Sequence, residues 1–175
     1  IAFDATGTRL VAVSDNDAQR SLALRDTATG AVVQRLVVGK REITAAAFSP
    51  DGSRIAACDP NGVVKVWTLS PFAEIASWTA DPEPRTLVFL GNDRIAIDSS
   101  VAPARMVSIW ELASTPRLVQ LLPPHRGPFV TLAAGGSALV TSDDERLRLW
   151  DRDGALVAES RAAHARFDRL VFTPT

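Results

Sequence analysis

Apolar and polar residues alternate along this chain in short runs, and the spacing of three to four that marks an amphipathic helix does not recur. Val64 and Val66 oppose Lys65 and Trp67, and Leu147 and Leu149 oppose Arg148 and Trp150, which is the period of two of a β-strand. Each such run ends in tryptophan and belongs to a longer pattern with a fixed order. A first apolar run ends in phenylalanine, as in TAAAFSPDGSRIAA around Phe48 or RTLVFLGNDRIAI around Phe89. A turn rich in Gly, Asn and Asp follows, such as Pro50-Asp51-Gly52, then a run of small apolar residues at 10–13, 55–58, 95–97 and 139–141. After a polar turn comes the alternating run, and after a further turn (Thr29-Gly30, Asp153-Gly154) a fourth run at 32–38, 74–79, 118–122 and 156–159. Four runs of about 4–7 residues with turns between them predict one four-stranded antiparallel sheet per unit.

Two rulers measure the period of this pattern. Trp67, Trp110 and Trp150 recur at a nearly constant interval, and one such interval before Trp67 the chain reads Arg25-Asp26, which keeps the aspartate and loses the ring. Phe48 and Phe89 are separated by the same interval, Phe172 lies two periods further on in DRLVFTPT, and Phe3 opens the first unit in IAFDATGTRLVAV. A repeat of about 40 residues made of short strands excludes helical arrays of similar length and defines an all-β chain. A single four-stranded sheet with two apolar faces cannot cover itself, so the repeats must stack face to face, and radial stacking gives a propeller.

These units resemble those of the WD-repeat family, whose repeats open on Gly-His and close on Trp-Asp. Phe48-Ser49-Pro50-Asp51-Gly52 matches the family's turn between its first two strands, and Trp150-Asp151 its closing dipeptide. The resemblance implies a β-propeller segment of about four blades, with units at 1–43, 44–84, 85–128 and 129–168 and the first strand of a further blade at 169–175. It also implies a hydrogen-bonded network in each blade, best matched in the fourth unit by His125, Thr141, Asp144 and Trp150. Elsewhere the pattern departs. The histidine position reads Lys40 in the second unit and Asp81 in the third, with His164 in the fifth, incomplete one. The turn aspartate is expected as Asn61 in the second unit and is lost near Ala104 in the third. Closed rings of this kind have about seven or eight blades, so the ring is expected to continue outside this sequence, which opens on Ile1 and has Met106 as its one methionine.

Composition narrows the function classes. Hydrophobic residues make up 46% and charged residues 22%, which is globular and not disordered. The net charge of −1, with arginines scattered and lysine confined to Lys40 and Lys65, gives no basic stripe for nucleic acid. No apolar stretch reaches the ~18 residues of a membrane span. Cys58, the one cysteine, cannot form an internal disulfide, and its apolar run predicts an inert core thiol in a reducing, cytoplasmic setting.

Candidate chemistry is sparse. His125 and His164 lack partners at metal-ligand spacing, and Asp143, Asp144 and Glu145 lack the glycine bend and alternating ligands of a calcium loop. Gly135-Gly136 precedes no helix and fits an inter-strand turn, and no Gly-x-Ser-x-Gly elbow is present. Trp67, Trp110 and Trp150 are expected as packing residues, and Trp78 as partly exposed. No catalytic residue, cofactor or metal is therefore predicted. Loops on a rigid scaffold are where recognition concentrates, and the family's usual platform is the face carrying the loops into the first strands. Here those loops offer Arg41, Glu42, Asp81, Arg85, Arg126, Phe129, Arg166 and Phe167. The expected function is a non-catalytic interaction or sensing scaffold with a protein or peptide partner, a module of a larger, multidomain signalling protein. The competing classes are a propeller enzyme with a central-channel metal, lactonase- or hydrolase-like, and a structural spacer. The inner runs TAAAF, TLVF and VTLAA supply no metal ligand to a channel.

Overall fold

The computed structural model describes residues 2–14, 21–39, 41–99, 106–125, 131–135, 138–143 and 145–161, and every regular element among them is a strand. The first sheet holds β1 (Ala2–Phe3), β2 (Arg9–Ser14), β3 (Ser21–Asp26) and β4 (Val32–Leu36). The second holds β5 (Ala45–Phe48), β6 (Arg54–Cys58), β7 (Val63–Leu69) and β8 (Phe72–Thr79). The third holds β9 (Pro84–Phe89), β10 (Arg94–Ser99), β11 (Met106–Glu111) and β12 (Arg117–Leu121). The fourth holds β13 (Thr131–Gly135), β14 (Ala138–Ser142), β15 (Arg146–Trp150) and β16 (Leu156–Arg161). Within each sheet the strands follow chain order and pair antiparallel, and among the described residues none pairs across two sheets.

The register makes the repeats superimposable residue by residue. Leu10, Ile55, Ile95 and Leu139 lie opposite Arg25, Trp67, Trp110 and Trp150 respectively. In all four sheets the pairing of the third and fourth strands slips immediately before that same position, a bulge that leaves Val33, Ile75, Val119 and Val157 of the fourth strands out of the paired register.

The sheets stack in chain order, each joined to the next by its own apolar cluster. Val11, Leu22, Leu24 and Leu36 of the first sheet meet Ile55, Ala57 and Trp67 of the second. Cys58, Val64 and Val66 on the other face of the second meet Leu87, Phe89, Ile95 and Ile97 of the third. Val107 and Ile109 of the third meet Leu139 and Trp150 of the fourth. Alternate residues of the second and third strands thus enter opposite interfaces, which is why these strands are apolar on both sides. Neighbouring sheets touch through β1, β5, β9 and β13 and splay apart towards their fourth strands. That convergence on one side and divergence on the other is the radial arrangement of propeller blades. On the outward face of the fourth sheet Leu147 and Leu149 stay half-exposed, whereas the corresponding Val64, Val66, Val107 and Ile109 are fully buried.

Polar clasps lock the turns at the lower end of the sheets. Arg54 donates through Nη1 to the carbonyl of Asn92 in the next sheet (2.8 Å), and Asp51 N–H donates to the Asn92 side chain (3.2 Å). Arg94, at the same place one repeat on, donates to the carbonyl of Arg152 (2.5 Å) and pairs with Asp153 (2.6 Å), while Arg152 returns to Asp93. The Asp51 turn is itself preorganised: its carboxylate accepts from Ser49 Oγ and from Ser53 N–H and Oγ. Burial acts to raise this carboxyl's pKa, but these donors and Arg54 hold it below the ordinary aspartate value.

Candidate interaction face

The upper end of the sheets, where the first strands begin, is built on buried polar anchors. In the fourth sheet Thr141 is fully buried, and its Oγ1 lies 2.9 Å from Trp150 Nε1 and 2.7 Å from His125 Nε2. Indole N–H can only donate, so Thr141 accepts from Trp150 and its own proton is free to go to His125. Three of the four expected network residues are therefore brought together. The fourth, Asp144, lies outside the described residues. His125 Nδ1 is buried with no hydrogen-bond partner among the described residues. Burial, then the positive charge of Arg148, lowers the histidine's pKa to about 4 against an opposing pull from Asp143, so the ring is neutral near pH 7.

Register explains why the network is confined to this sheet. The position of Thr141 is Ala12 in the first sheet, Ala57 in the second and Ile97 in the third, none with a hydroxyl. The third sheet substitutes a shorter link, with Trp110 Nε1 donating to Ser108 Oγ on the same strand (2.9 Å). Trp67 and Trp150 are buried, Trp110 is half-buried, and Trp78 is half-buried against Trp110 with ring centroids 5.7 Å apart.

The turn acceptor of the second sheet differs from the sequence expectation. In the second sheet the acceptor is Asp59, not Asn61: its Oδ1 takes the N–H groups of Asn61 and Val63 (2.9 and 3.0 Å) and its side chain is buried. Asp143 does the same job one position before Asp144, accepting from Glu145 and Arg146 N–H and pairing with Arg148 at 3.1 Å. Asp59 and Asp143 each directly follow the second strand, where an Asp can cap a turn in the Asx manner, and that placement was the signal available in sequence. In the third sheet Asp98 on β10 accepts from the N–H groups of Arg85 and Thr86 and so pins the start of β9. Ala104 lies outside the described residues. Gly39, just before Lys40, is needed for this arrangement, because a Cβ there would collide with the Asp59 carboxylate. Gly62, at φ 82°, closes the Asp59 turn where a side chain would strike the Ala80 and Asp81 carbonyls.

Of the eight rim residues expected from sequence, Arg41, Glu42, Asp81 and Arg85 are exposed at this end, and Arg126, Phe129, Arg166 and Phe167 lie outside the described residues. Between the sheets the same end opens into a cavity of about 240 Å³, which sequence reasoning did not find. Its walls are Val11 and Leu22 of the first sheet, Ile43 to Ala46 of the second, and Arg85 to Leu87 of the third. At the opposite end Phe3, Phe48 and Phe89, one from each of three successive repeats, line a hollow of about 480 Å³. Cys58 is fully buried, and burial drives its thiol up to about 11, with Asp98 and Asp59 adding to the effect against hydrogen bonds to Thr44 and Ala45. Among the described residues no three His, Cys, Asp or Glu side chains are grouped as a metal site, and no helix is long and apolar enough to cross a membrane.

Residues 32–68, running from β4 through β7, match the family described as "WD domain, G-beta repeat". That stretch is similar to one WD repeat, and the fold around it is that of a β-propeller segment. Among solved structures it is similar to the β-propeller domain of Cps50 (Swd1) from Myceliophteria thermophila, at 15% identity and a TM-score of 0.73, over 93% of this chain and 55% of that one. The chain thus spans about half the length of that β-propeller domain, and the likeness concerns the fold. No curated protein matches the sequence.

Proposed function

We propose that this WD-repeat segment is a non-catalytic protein-interaction scaffold that takes its partner on the upper face. The observation that carries the reading is the cavity between the first three sheets, lined in part by the exposed rim residue Arg85 and held by buried turn anchors. A fixed concave site where apolar and polar groups meet is suited to peptide recognition. The scaffold serves a larger, multidomain signalling protein, a role supported by the family resemblance. A cytoplasmic setting suits its single buried cysteine. The test is photo-crosslinking from the full-length protein in its native cells. Crosslinkers at Arg41 and Asp81 are expected to capture a partner, and crosslinkers at Thr29 and Asp153, exposed at the lower end, are not. Equal capture from both ends would overturn the reading.

A further inference from the structure

We infer that Asn61 is a deamidation site on the upper face, and that the Asp59 turn controls how fast it reacts. This goes beyond the scaffold reading and does not rest on it. Of the three asparagines, Asn16 and Asn92 precede aspartate and only Asn61 precedes glycine. Deamidation requires the backbone nitrogen of the next residue to reach the asparagine's amide carbon, and a glycine, having no Cβ, leaves that approach open. Because Asp59 is the turn acceptor of the second sheet, the Asn61 side chain is left exposed, with no hydrogen bond among the described residues. Asn92 is held differently, its side-chain oxygen accepting from Asp51 N–H at 3.2 Å. In the turns Asp51-Gly52 and Asp153-Gly154 the group to be attacked is a carboxylate, a poor electrophile. The first is engaged by Ser49 and Ser53 and the second paired with Arg94.

The reaction needs only water. Gly62 N loses its proton to solvent and bonds to Asn61 Cγ, the Cγ–N bond of the side-chain amide breaks, and ammonia leaves a succinimide ring. Water then opens the ring at either carbonyl, giving aspartate or isoaspartate. In the folded chain the attacking nitrogen is engaged, since Gly62 N–H donates to the Asp59 carbonyl at 3.0 Å. The same turn is fastened by Ala80 N–H on the Gly62 carbonyl and Glu83 N–H on the Pro60 carbonyl, both at 2.9 Å. The imide has no N–H to give back, so ring closure waits for the turn to open locally. Either product adds a negative charge close to Asp59. Isoaspartate also inserts a carbon into the main chain between residues 61 and 62. That disturbs the spacing by which Asp59 Oδ1 holds the N–H groups of both Asn61 and Val63. The modification is therefore an irreversible ageing switch built into this face.

The test is incubation of the full-length protein at mildly alkaline pH, folded and in urea, followed by peptide mass spectrometry and isoaspartate-specific methylation. In urea Asn61 is expected to react ahead of Asn16 and Asn92. In the folded chain it should react about 10- to 100-fold more slowly than in urea, the effect of first breaking the turn's hydrogen bonds. Asn61→Gln should abolish the signal, and Asp59→Ala should bring the folded rate close to the urea rate. Because Asp59→Ala may loosen the whole sheet, the parent protein supplies a second reading. Across sub-denaturing urea its deamidation rate should rise in proportion to hydrogen exchange at the Gly62 amide, since both need the same N–H released. Faster reaction at Asn16 or Asn92 in urea, equal rates folded and unfolded, or deamidation that does not follow Gly62 exchange would each overturn the inference.

Discussion

Replacing Thr141 by valine keeps the shape of the side chain and removes the one atom on which the fourth sheet's polar network turns. Oγ1 receives Trp150 Nε1 at 2.9 Å and contacts His125 Nε2 at 2.7 Å, and all three residues are buried. In Thr141→Val the indole N–H and the imidazole nitrogen both stay buried without that partner, at about 1–3 kcal/mol each. The new methyl group returns about 0.8 kcal/mol of burial. The expected net loss is about 2–4 kcal/mol, a large part of the ~5–15 kcal/mol that holds a domain together. Thr141→Ser is the informative comparison, because it keeps the hydroxyl and deletes only a methyl group, for about 1 kcal/mol. Urea unfolding of the full-length protein followed by far-UV circular dichroism reads both as midpoint shifts at constant slope. Hydrogen exchange of the β14 and β15 amides localises the change. If Thr141→Ser costs as much as Thr141→Val, or valine lies within about 0.5 kcal/mol of the parent, packing alone holds Trp150 and the network argument is wrong.

The remaining expectations use the same protein. His125 has a folded pKa of about 4 against about 6.5 unfolded, so the unfolded chain takes up the proton first. Its contribution is complete above about pH 6.5 and is lost as pH falls towards 4, by up to about 3 kcal/mol. His125→Gln should flatten that part of a stability-versus-pH curve, whereas Asp4 and Asp51, held below the ordinary carboxylate value, add slope only below about pH 4. Arg94→Ala, which removes the clasp to Arg152 and Asp153, should cost about 1–2 kcal/mol in urea unfolding, and Arg117→Ala, which loses an exposed pair with Glu111, under about 0.5 kcal/mol. Gly39→Ala should destabilise by about 1–3 kcal/mol through its collision with Asp59. Asp59→Ala in that background should recover part of the loss, and strict additivity in the double-mutant cycle would refute the contact. Cys58 should resist iodoacetamide at pH 8 while folded and react once the chain is unfolded in urea. Rapid labelling of the native protein would contradict its burial.

The constant repeat length, the phenylalanine and tryptophan rulers and the alternation of Val64, Lys65, Val66 and Trp67 were enough to specify four-stranded sheets that must stack. Each follows from local rules, since a period of two decides which way a side chain points and a sheet with two apolar faces needs neighbours on both. His125, Thr141 and Trp150 could be joined in advance for a related reason, because each sits at a fixed place in the repeat. Which aspartate caps each turn was decided by the register. Asp59 and Asp143 begin their turns directly after the second strand, a placement legible in sequence, and pairing with the third strand brings the N–H groups within reach of their carboxylates. The common bulge before the tryptophan position, the arginine clasps between successive turns and the cavity beside Arg85 are likewise invisible in one dimension. The clasps and the cavity join residues of separate repeats, through contacts that exist only once neighbouring sheets are in place.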